Sequence, residues 1–261
     1  MPEEVMRVVE KIKQNGHMAY VVGGCVRDVL RGVQPKDWDI TTSAKPEEIL
    51  KLFPDSFYEN KFFTVVVKTD SEGEIPKGIE VTTFRAEGKY TDKRHPDEVR
   101  FAETLEEDLS RRDFTVNAMA FDIKSDSGPL LIDPFCGQKD LEGKIIRAVG
   151  DPKKRFDEDA LRMMRAVRLA VQLGCVIEEN TYRAIQEFSG NLRFIAKERI
   201  RDELVKIIET PRAREGIELL HECGLLKESI PELEEGIGIE NRPRIFTVWE
   251  HNLKALEYGA R

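Results

Sequence analysis

The sequence has 261 residues, of which 34% are charged, and its formal net charge is −8. A chain of this length can bury one large core or two ordinary ones without disulfide or metal staples, and its acidic balance excludes nucleic-acid binding through bulk charge. The four cysteines have no Cys-x-x-Cys spacing and no apolar run approaches the ~18 residues that span a bilayer, so we expect a protein of the reducing cytoplasm with no membrane partner.

The elements predicted before residue 150 describe an α/β or α+β domain built around a sheet. Four apolar residues recur at helical spacing ahead of Gly16, which ends that helix: Val5, Val8, Val9 and Ile12. Short runs rich in β-branched and aromatic residues predict strands at 19–22, 38–41, 62–67, 79–84 and 119–123. Residues 46–53 predict a helix, and Thr104 and Glu107 have the spacing of a capping box at the start of another.

After the turn at residues 150–152, the sequence predicts helices alone. Apolar stripes at helical spacing cover four further segments: 156–173, 181–188, 196–208 and 212–223. Gly174, Gly190 and Gly224 separate these segments. The change of period predicts a catalytic head at residues 1–149, followed by an all-α neck and the start of a body at residues 150–261.

Paired carboxylates occur where the second strand is predicted to begin. Asp37 and Asp39 flank Trp38, so their side chains project from the same face of an extended segment. Two carboxylates this close repel unless a divalent cation neutralises them, and the alternative is a solvated turn. Glu80 interrupts the apolar run 79–84, where an unpaired charge would be unfavourable, so we expect a third metal-facing carboxylate. The alternative is a glutamate on the polar face of a strand.

A glycine pair follows the first predicted strand. Gly23 and Gly24 lead into a short helix that contains Arg27, which would let bare backbone N–H groups approach a phosphate chain with a cation beside it. No Gly-Lys-Ser/Thr follows, so this is not a Walker motif, and an ordinary turn is the alternative.

Two further strings place charges beside apolar residues. Residues 111–118 contain Arg112, Asp113 and Asn117 as candidate nucleotide-binding residues. Arg112 and Asp113 could hold phosphate oxygens and ribose hydroxyls, or the string could form a structural ion-pair network joining helix to sheet. In the second string the acidic and basic residues lie on one predicted helix: Glu158, Asp159, Arg162, Arg165 and Arg168. A carboxylate beside a guanidinium complements the amino donor and ring-nitrogen acceptor of cytosine and adenine, whereas a solvated helix face is the alternative.

Taken in order, these motifs resemble the class II tRNA nucleotidyltransferase and bacterial poly(A) polymerase family. The resemblance rests on Gly-Gly-Cys-Val-Arg-Asp at 23–28, Asp-Trp-Asp at 37–39, Ile-Glu-Val-Thr-Thr-Phe-Arg at 79–85, Arg-Arg-Asp-Phe-Thr-Val-Asn-Ala at 111–118 and Glu-Asp-x-x-Arg-x-x-Arg at 158–165. The match is dense over residues 20–173 and thinner beyond.

The resemblance implies a polymerase-β-like head followed by a helical neck, with Asp37 and Asp39 as magnesium ligands and Glu80 as the third carboxylate. It also implies roles in nucleotide binding: Gly24 and Arg27 for the triphosphate, Arg112 and Asp113 for the sugar and phosphate, Asp159 and Arg162 for the base, and Arg165 and Arg168 in support. Family members continue into body and tail domains that grip the tRNA elbow, and this sequence ends at Arg261, shortly after the first helices of such a region.

The activity that the resemblance implies is template-independent addition of C, C and A to the tRNA 3′ end from CTP and ATP, with Mg²⁺ as cofactor. Residues 85–100 are similar to the flexible loop of CCA-adding and A-adding enzymes. Bacterial poly(A) polymerases carry a longer insertion there and a proline where this chain has Ala160, which favours the CCA-adding enzyme. The alternatives are an A-adding enzyme, a poly(A) polymerase, an RNA-binding protein with an inactive head and a small-molecule adenylyltransferase.

Overall fold

The computed structural model describes residues 1–59, 63–69, 78–86, 100–124, 128–240 and 245–259. These residues form two compact units, one up to Leu141 and one from Glu142 onward. The predicted strand start at Phe62 and most of the predicted loop, residues 87–99, lie outside the described residues. No helix in the described ranges is both long and apolar enough to cross a bilayer.

The first unit combines short helices with a mixed sheet. Its helices are α1 (Glu3–Gln14), α2 (Gly24–Leu30), α3 (Pro46–Leu52), α4 (Leu105–Ser110) and α5 (Gly137–Glu142). Its strands are β1 (Ala19–Val22), β2 (Asp39–Thr42), β3 (Phe57–Glu59), β4 (Thr64–Lys68), β5 (Gly78–Thr83), β6 (Arg85–Ala86), β7 (Arg100–Phe101), β8 (Ala120–Lys124) and β9 (Gly128–Ile132). The predicted first helix and the five predicted strands are confirmed as α1, β1, β2, β4, β5 and β8.

Seven strands form the main sheet in the order β3-β4-β5-β2-β1-β8-β9. β2 and β5 run parallel, and their neighbours in the sheet pair antiparallel. In this register Asp39 lies opposite Glu80 on β5 and opposite Val22 on β1. Registered partners project from the same face of a sheet, so all three side chains share one face.

The two faces of this sheet pack against different helices. On one face, Val21 and Ile40 belong to an apolar cluster that includes the buried stripe of α1. On the opposite face, Val22 packs in a second cluster with Leu105 and Leu109 of α4. Thr104 caps α4 by accepting a hydrogen bond from the backbone N–H of Glu107 (3.2 Å). Helix α4 therefore lies on the face that carries Asp39 and Glu80.

The second unit is mainly helical. Its helices are α6 (Pro152–Glu158), α7 (Leu161–Leu173), α8 (Glu179–Phe188), α9 (Lys197–Ile208), α10 (Ala213–Glu222), α11 (Leu225–Ser229) and α12 (Val248–Gly259). The expectation of helices alone after residue 150 is wrong in one respect, because β10 (Ile145–Ile146) pairs in parallel with β11 (Val176–Ile177). A two-residue strand is too short to show a period of its own.

The single helix predicted over residues 156–173 is also wrong. α6 ends at Glu158 and α7 begins at Leu161, because Asp159 adopts an extended backbone (φ −147°, ψ 104°). The Asp159 carboxylate accepts a hydrogen bond from the backbone N–H of Leu161 (3.0 Å). This cap satisfies one of the N–H groups that the start of a helix leaves without an internal partner, which stabilises the break.

Candidate active site

The predicted carboxylates lie around the start of β2. Asp39 opens β2 and Glu80 is its registered neighbour on β5, while Asp37 precedes the strand and buried Trp38 separates the two aspartates. Glu80 is exposed, although Ile79 and Val81 on either side are fully buried. The expectation that Glu80 sits in an apolar environment is therefore wrong, because strand alternation turns it to the other face. It still projects from the face that carries Asp39.

The environment of Asp39 favours a bound cation. Burial raises the pKa of its carboxyl, the nearby Arg112 lowers that pKa, and Asp37 raises it again. A divalent cation would favour the ionised form, and the oxygen-only donors fit a hard ion such as Mg²⁺. Within the described ranges, no group of three or more His, Cys, Asp or Glu side chains forms a complete metal site. The binding of a cation by Asp37, Asp39 and Glu80 therefore stays a prediction.

Gly23 brings the end of β1 against these charges. It has a left-handed φ of +86°, and a Cβ placed on it would stand 2.9 Å from Arg112 Nη1 and 3.4 Å from Asp39 Oδ2. A side chain at this position would therefore be strained in its backbone and would collide with the guanidinium. The glycine turn therefore lies beside both the Asp39 carboxylate and the Arg112 guanidinium.

Arg27, Asn117 and Asp113 form a buried network behind that turn. The Arg27 guanidinium donates to both carboxylate oxygens of Asp28 at 3.0 Å and to the Asn117 amide oxygen at 2.7 Å. The Asn117 amide nitrogen in turn donates to Asp113 Oδ1 at 3.2 Å. Arg27, Asn117 and Asp113 are all largely buried. The structural ion-pair alternative thus describes part of what these residues do, and their contact with nucleotide stays a prediction.

Asp108, which was absent from the predicted set, joins α4 to this site. Its side chain is fully buried, and Oδ1 accepts from the Arg111 guanidinium at 3.0 Å while Oδ2 lies 3.5 Å from Arg112 Nη2. Oδ1 also accepts from the backbone N–H of Arg85 at 3.1 Å, and Oδ2 accepts from the Thr41 hydroxyl at 3.2 Å. Burial opposes ionisation, but the two adjacent arginines and the Arg85 N–H together lower the pKa of Asp108. Asp108 precedes Arg111 by three residues and Arg112 by four, and this helical spacing was the sequence signal that could have predicted the pairing.

The acidic and basic string of the second unit is arranged differently from the prediction. Asp159 lies in the break between α6 and α7, so it does not share a helix face with Arg162, and the argument from i,i+3 spacing is wrong. The Asp159 carboxylate pairs with Arg199 of α9 at 2.8 Å, a partner that the sequence analysis missed. Arg162 pairs with Glu158 at 2.6 Å and donates to the backbone carbonyl of Arg155 at 3.2 Å.

Arg162, Arg165 and Arg168 still form one half-buried stripe along α7. Arg168 pairs with the buried carboxylate of Glu203 on α9 at 2.6 Å. Because Arg199 and Glu203 are one helical turn apart on α9, the Asp159 and Arg168 ion pairs together hold α9 along the arginine stripe. The supporting roles predicted for Arg165 and Arg168 stay predictions.

Comparison with known proteins gives two matching family models. Residues 19–147 match the poly A polymerase head domain, and residues 174–237 match the probable RNA and SrmB-binding site of polymerase A. The CCA-adding enzyme of Geobacillus sp. (strain WCH70) is 45% identical over 226 residues, which cover 85% of this chain and 53% of that enzyme. The CCA-adding enzyme of Lactobacillus helveticus (strain DPC 4571) is 45% identical over 230 residues, covering 88% of this chain and 55% of that enzyme. The chain thus spans about half the length of these curated relatives.

Solved structures resemble the fold as well. The Bacillus stearothermophilus CCA-adding enzyme in complex with CTP superposes with a TM-score of 0.79 at 40% identity, over 90% of this chain and 56% of that one. A tRNA nucleotidyltransferase complexed with a primer tRNA and an incoming ATP analogue superposes with a TM-score of 0.73 at 28% identity, over 97% of this chain and 71% of that one. The predicted fold, a nucleotidyltransferase head with a helical region after it, is confirmed.

Proposed function

The chain belongs to the family of tRNA nucleotidyltransferases, which includes the CCA-adding enzymes, and of bacterial poly(A) polymerases, and from this we propose that it adds C, C and A to the 3′ end of tRNA. CTP and ATP are the substrates, tRNA is the acceptor and pyrophosphate is released. A cytoplasmic location, which the scattered cysteines lead us to expect, fits this proposal.

One observation carries the proposal. A Cβ placed on Gly23 would stand 2.9 Å from Arg112 Nη1 and 3.4 Å from Asp39 Oδ2, so both charged groups border the glycine turn at the end of β1. Glu80 is in register beside Asp39. In-line phosphoryl transfer requires positioning and charge neutralisation more than covalent chemistry, and this group offers carboxylates for a cation and a guanidinium for phosphate oxygens. An RNA-binding protein with an inactive head would have no need for an acidic cluster near an RNA phosphate.

The residues of the first unit divide the work. Asp37 and Asp39 would hold Mg²⁺, with Glu80 as the third carboxylate beside the acceptor. Backbone N–H groups at Gly23 and Gly24 would contact the triphosphate, and Arg112 would pair with its oxygens. When bound, the cation would neutralise triphosphate charge and favour loss of the acceptor hydroxyl proton.

Three further first-unit residues would complete nucleotide binding. Arg27 carries a guanidinium beside the glycine turn, and Asp113 and Asn117 are hydrogen-bonded to each other at 3.2 Å. Asp113 and Asn117 would orient the ribose through hydroxyl contacts, while Arg27 would keep the turn in place and add positive charge near the triphosphate.

Base selection would fall to the second unit. The Asp159 carboxylate would accept from the amino group of cytosine or adenine, and Arg162 would donate to the neighbouring ring nitrogen, with Arg165 and Arg168 in support. A carboxylate has about four lone-pair positions, so Asp159 retains acceptor capacity beyond its contacts with Leu161 and Arg199. Uracil and guanine present the opposite pattern on that edge and would be poor substrates.

The test supplies CTP and ATP, separately and together, to tRNA transcripts that end at the discriminator base, at C and at CC, and sizes the products. We expect CTP alone to add two residues to the shortest transcript, and ATP alone to extend only the transcript ending in CC. The match to a poly A polymerase head makes poly(A) polymerase or A-adding activity the second candidate function. Extension by ATP alone into long tails would establish a poly(A) polymerase, and addition of A without C would establish an A-adding enzyme.

A further inference from the structure

A buried carboxylate outside the predicted set contacts an arginine at the candidate site. Asp108 lies on α4 with a fully buried side chain, and its two oxygens contact Arg111 and Arg112. We propose that Asp108 is a positioning residue, which holds the Arg112 guanidinium at the glycine turn so that it faces a triphosphate. This inference rests on the proposed nucleotidyl transfer, because it assumes that a triphosphate binds there.

Arg112 lies between two carboxylates that compete for it. Its Nη1 lies 2.9 Å from the Cβ position of Gly23, and Asp39 Oδ2 lies 3.4 Å from that same position. On the other side, Arg112 Nη2 lies 3.5 Å from Asp108 Oδ2. With the Asp108 charge removed, the guanidinium would be free to close onto Asp39 and would then compete with a cation for that carboxylate. Asp108 therefore attracts Arg112 away from Asp39 and leaves its guanidinium available to a triphosphate.

Asp108 is itself fixed to the sheet. The Thr41 hydroxyl that donates to Oδ2 lies on β2, two residues after Asp39, and the backbone N–H that donates to Oδ1 belongs to the first residue of β6. The Thr41 bond ties the carboxylate to the strand that carries Asp39, and the Arg85 bond ties it to β6. Arg111 adds a charge-assisted bond to Oδ1 at 3.0 Å. A carboxylate restrained by these contacts can hold an arginine in one geometry.

The primary variant is Asp108→Asn, which preserves shape and one acceptor oxygen while it removes the charge. Two quantities are measured for the whole chain with Mg²⁺: kcat/KM for CTP on a tRNA transcript, and the Kd of inorganic triphosphate by calorimetry. We expect kcat/KM to fall and the triphosphate Kd to rise by roughly 10- to 100-fold, the scale of a lost hydrogen bond to a charged group. Triphosphate carries no base, so this readout reports the phosphate site alone.

A double-variant cycle separates positioning from general damage. If Asp108 acts through Arg112, then Asp108→Asn should change triphosphate affinity less than about twofold once Arg112→Ala is present, because interacting residues are non-additive. Asp122→Asn is the matched control, since Asp122 pairs with Lys13 in the same unit and shares no contact described here with Arg112. We expect the control to leave triphosphate affinity unchanged.

Additive losses in the cycle, or unchanged triphosphate affinity in folded Asp108→Asn, would overturn the proposal. If Asp108→Asn does not fold, Thr41→Val replaces it, because that change removes only the hydroxyl, which contacts Oδ2 and the Thr82 carbonyl oxygen. We then expect Thr41→Val to weaken triphosphate affinity several-fold in the parent background and to have no effect in the Arg112→Ala background. An affinity that Thr41→Val leaves unchanged in both backgrounds would also overturn the proposal. A parent chain that binds triphosphate but never extends tRNA would refute the proposed function and leave this cycle interpretable.

Discussion

Two aspartates only a few ångströms from the same arginine are tuned in opposite directions. Burial raises the pKa of Asp39 despite the nearby Arg112, whereas the pKa of Asp108 is lowered because two arginines and a backbone N–H outweigh its burial. A cation would therefore stabilise the ionised form of Asp39, whereas neighbouring protein groups already stabilise the ionised form of Asp108. The contrast separates a candidate ligand-binding carboxylate from a structural one.

The first prediction concerns Asp39. Asp39→Asn should reduce nucleotide transfer at least about 1,000-fold with Mg²⁺ present, because it removes a proposed ligand of the cation that stabilises the transition state. The folded protein should not be destabilised, since the change removes a half-buried carboxyl whose pKa is raised by burial. Transfer rate and thermal unfolding are measured together. Activity within a few-fold of the parent would remove Asp39 from the catalytic set.

The second prediction is a pH dependence set by Asp108. A carboxyl whose pKa is lowered in the folded state stabilises the fold above its unfolded pKa of about 3.8, and this stabilisation is lost as pH falls through the folded value. At pH 7, Asp108→Asn should lower the free energy of unfolding by roughly 3–5 kcal/mol, as for a broken buried ion pair. In denaturant unfolding from pH 7 to pH 3, the free energies of unfolding of the two proteins should begin to converge as the pH falls below about 3.8. A gap that stays constant with pH would contradict the assignment.

At the scale of the element, the turn between β1 and α2 exists because of one glycine. Gly23 combines φ +86° with a close approach to the Arg112 guanidinium. Gly16, after α1, has nearly the same φ of +85°, but a Cβ there would meet nothing within 4 Å. A substitution would therefore strain the backbone at both positions, but only at Gly23 would the new side chain collide with another residue.

The third prediction uses this pair. Gly23→Ala and Gly16→Ala should each destabilise the fold by roughly 1–3 kcal/mol from strain at positive φ. Only Gly23→Ala should also weaken CTP binding, by about tenfold or more, because its Cβ displaces the Arg112 guanidinium. Thermal unfolding and CTP calorimetry on both variants provide the comparison. Equal effects on CTP affinity would mean that the turn acts only through stability.

The break between α6 and α7 is the second element-scale feature with consequences. Asp159 caps α7 and pairs with Arg199, so it is held in an extended conformation beside the helix and off its face. Simple reversal of Asp159 and Arg162 would place an arginine against Arg199. A fair test of base selection therefore requires Arg199 to change sign as well.

The fourth prediction is the triple variant Asp159→Arg, Arg162→Asp, Arg199→Glu. Its use of UTP or GTP relative to CTP and ATP should rise by roughly 10-fold or more, since each good bidentate contact discriminates by about 1–3 kcal/mol. Relative kcat/KM values are compared with those of Arg199→Glu alone, which controls for loss of the α9 ion pair. An unchanged preference for CTP and ATP would place base selection elsewhere.

At the scale of the whole molecule, the four cysteines differ in exposure and in thiol pKa. Cys25 in the first unit and Cys223 in the second are buried, and burial raises the pKa of each thiol to about 12. Cys136 is exposed and Cys175 is intermediate. Because only the thiolate reacts, exposure and pKa together order these thiols.

The fifth prediction is that order of reactivity. At pH 8, a disulfide reagent should modify Cys136 within seconds to minutes and leave Cys25 and Cys223 unmodified until denaturant is added. Cys136→Ser should abolish the fast phase and serves as the control. Fast modification of Cys25 or Cys223 in the native protein would show that the corresponding unit opens under native conditions.

Local sequence determined much of this protein. Apolar periodicity predicted α1, and short runs rich in β-branched and aromatic residues predicted the five strands, because both signals lie within a few consecutive residues. Local sequence also placed Asp39 at the start of β2, with Asp37 two residues before it. The glycine turn followed from residues that are adjacent in the chain.

Tertiary structure alone decided the rest. Asp39 meets Glu80 only because β2 and β5 pair in one parallel register, and a slip of one residue would turn every side chain to the other face. The contacts of Asp108 with Thr41 and of Asp159 with Arg199 join residues far apart in the chain, which no local period encodes. The break after Glu158 depends on a carboxylate that can bond a backbone N–H and a distant arginine at once, and those bonds exist only in the folded chain.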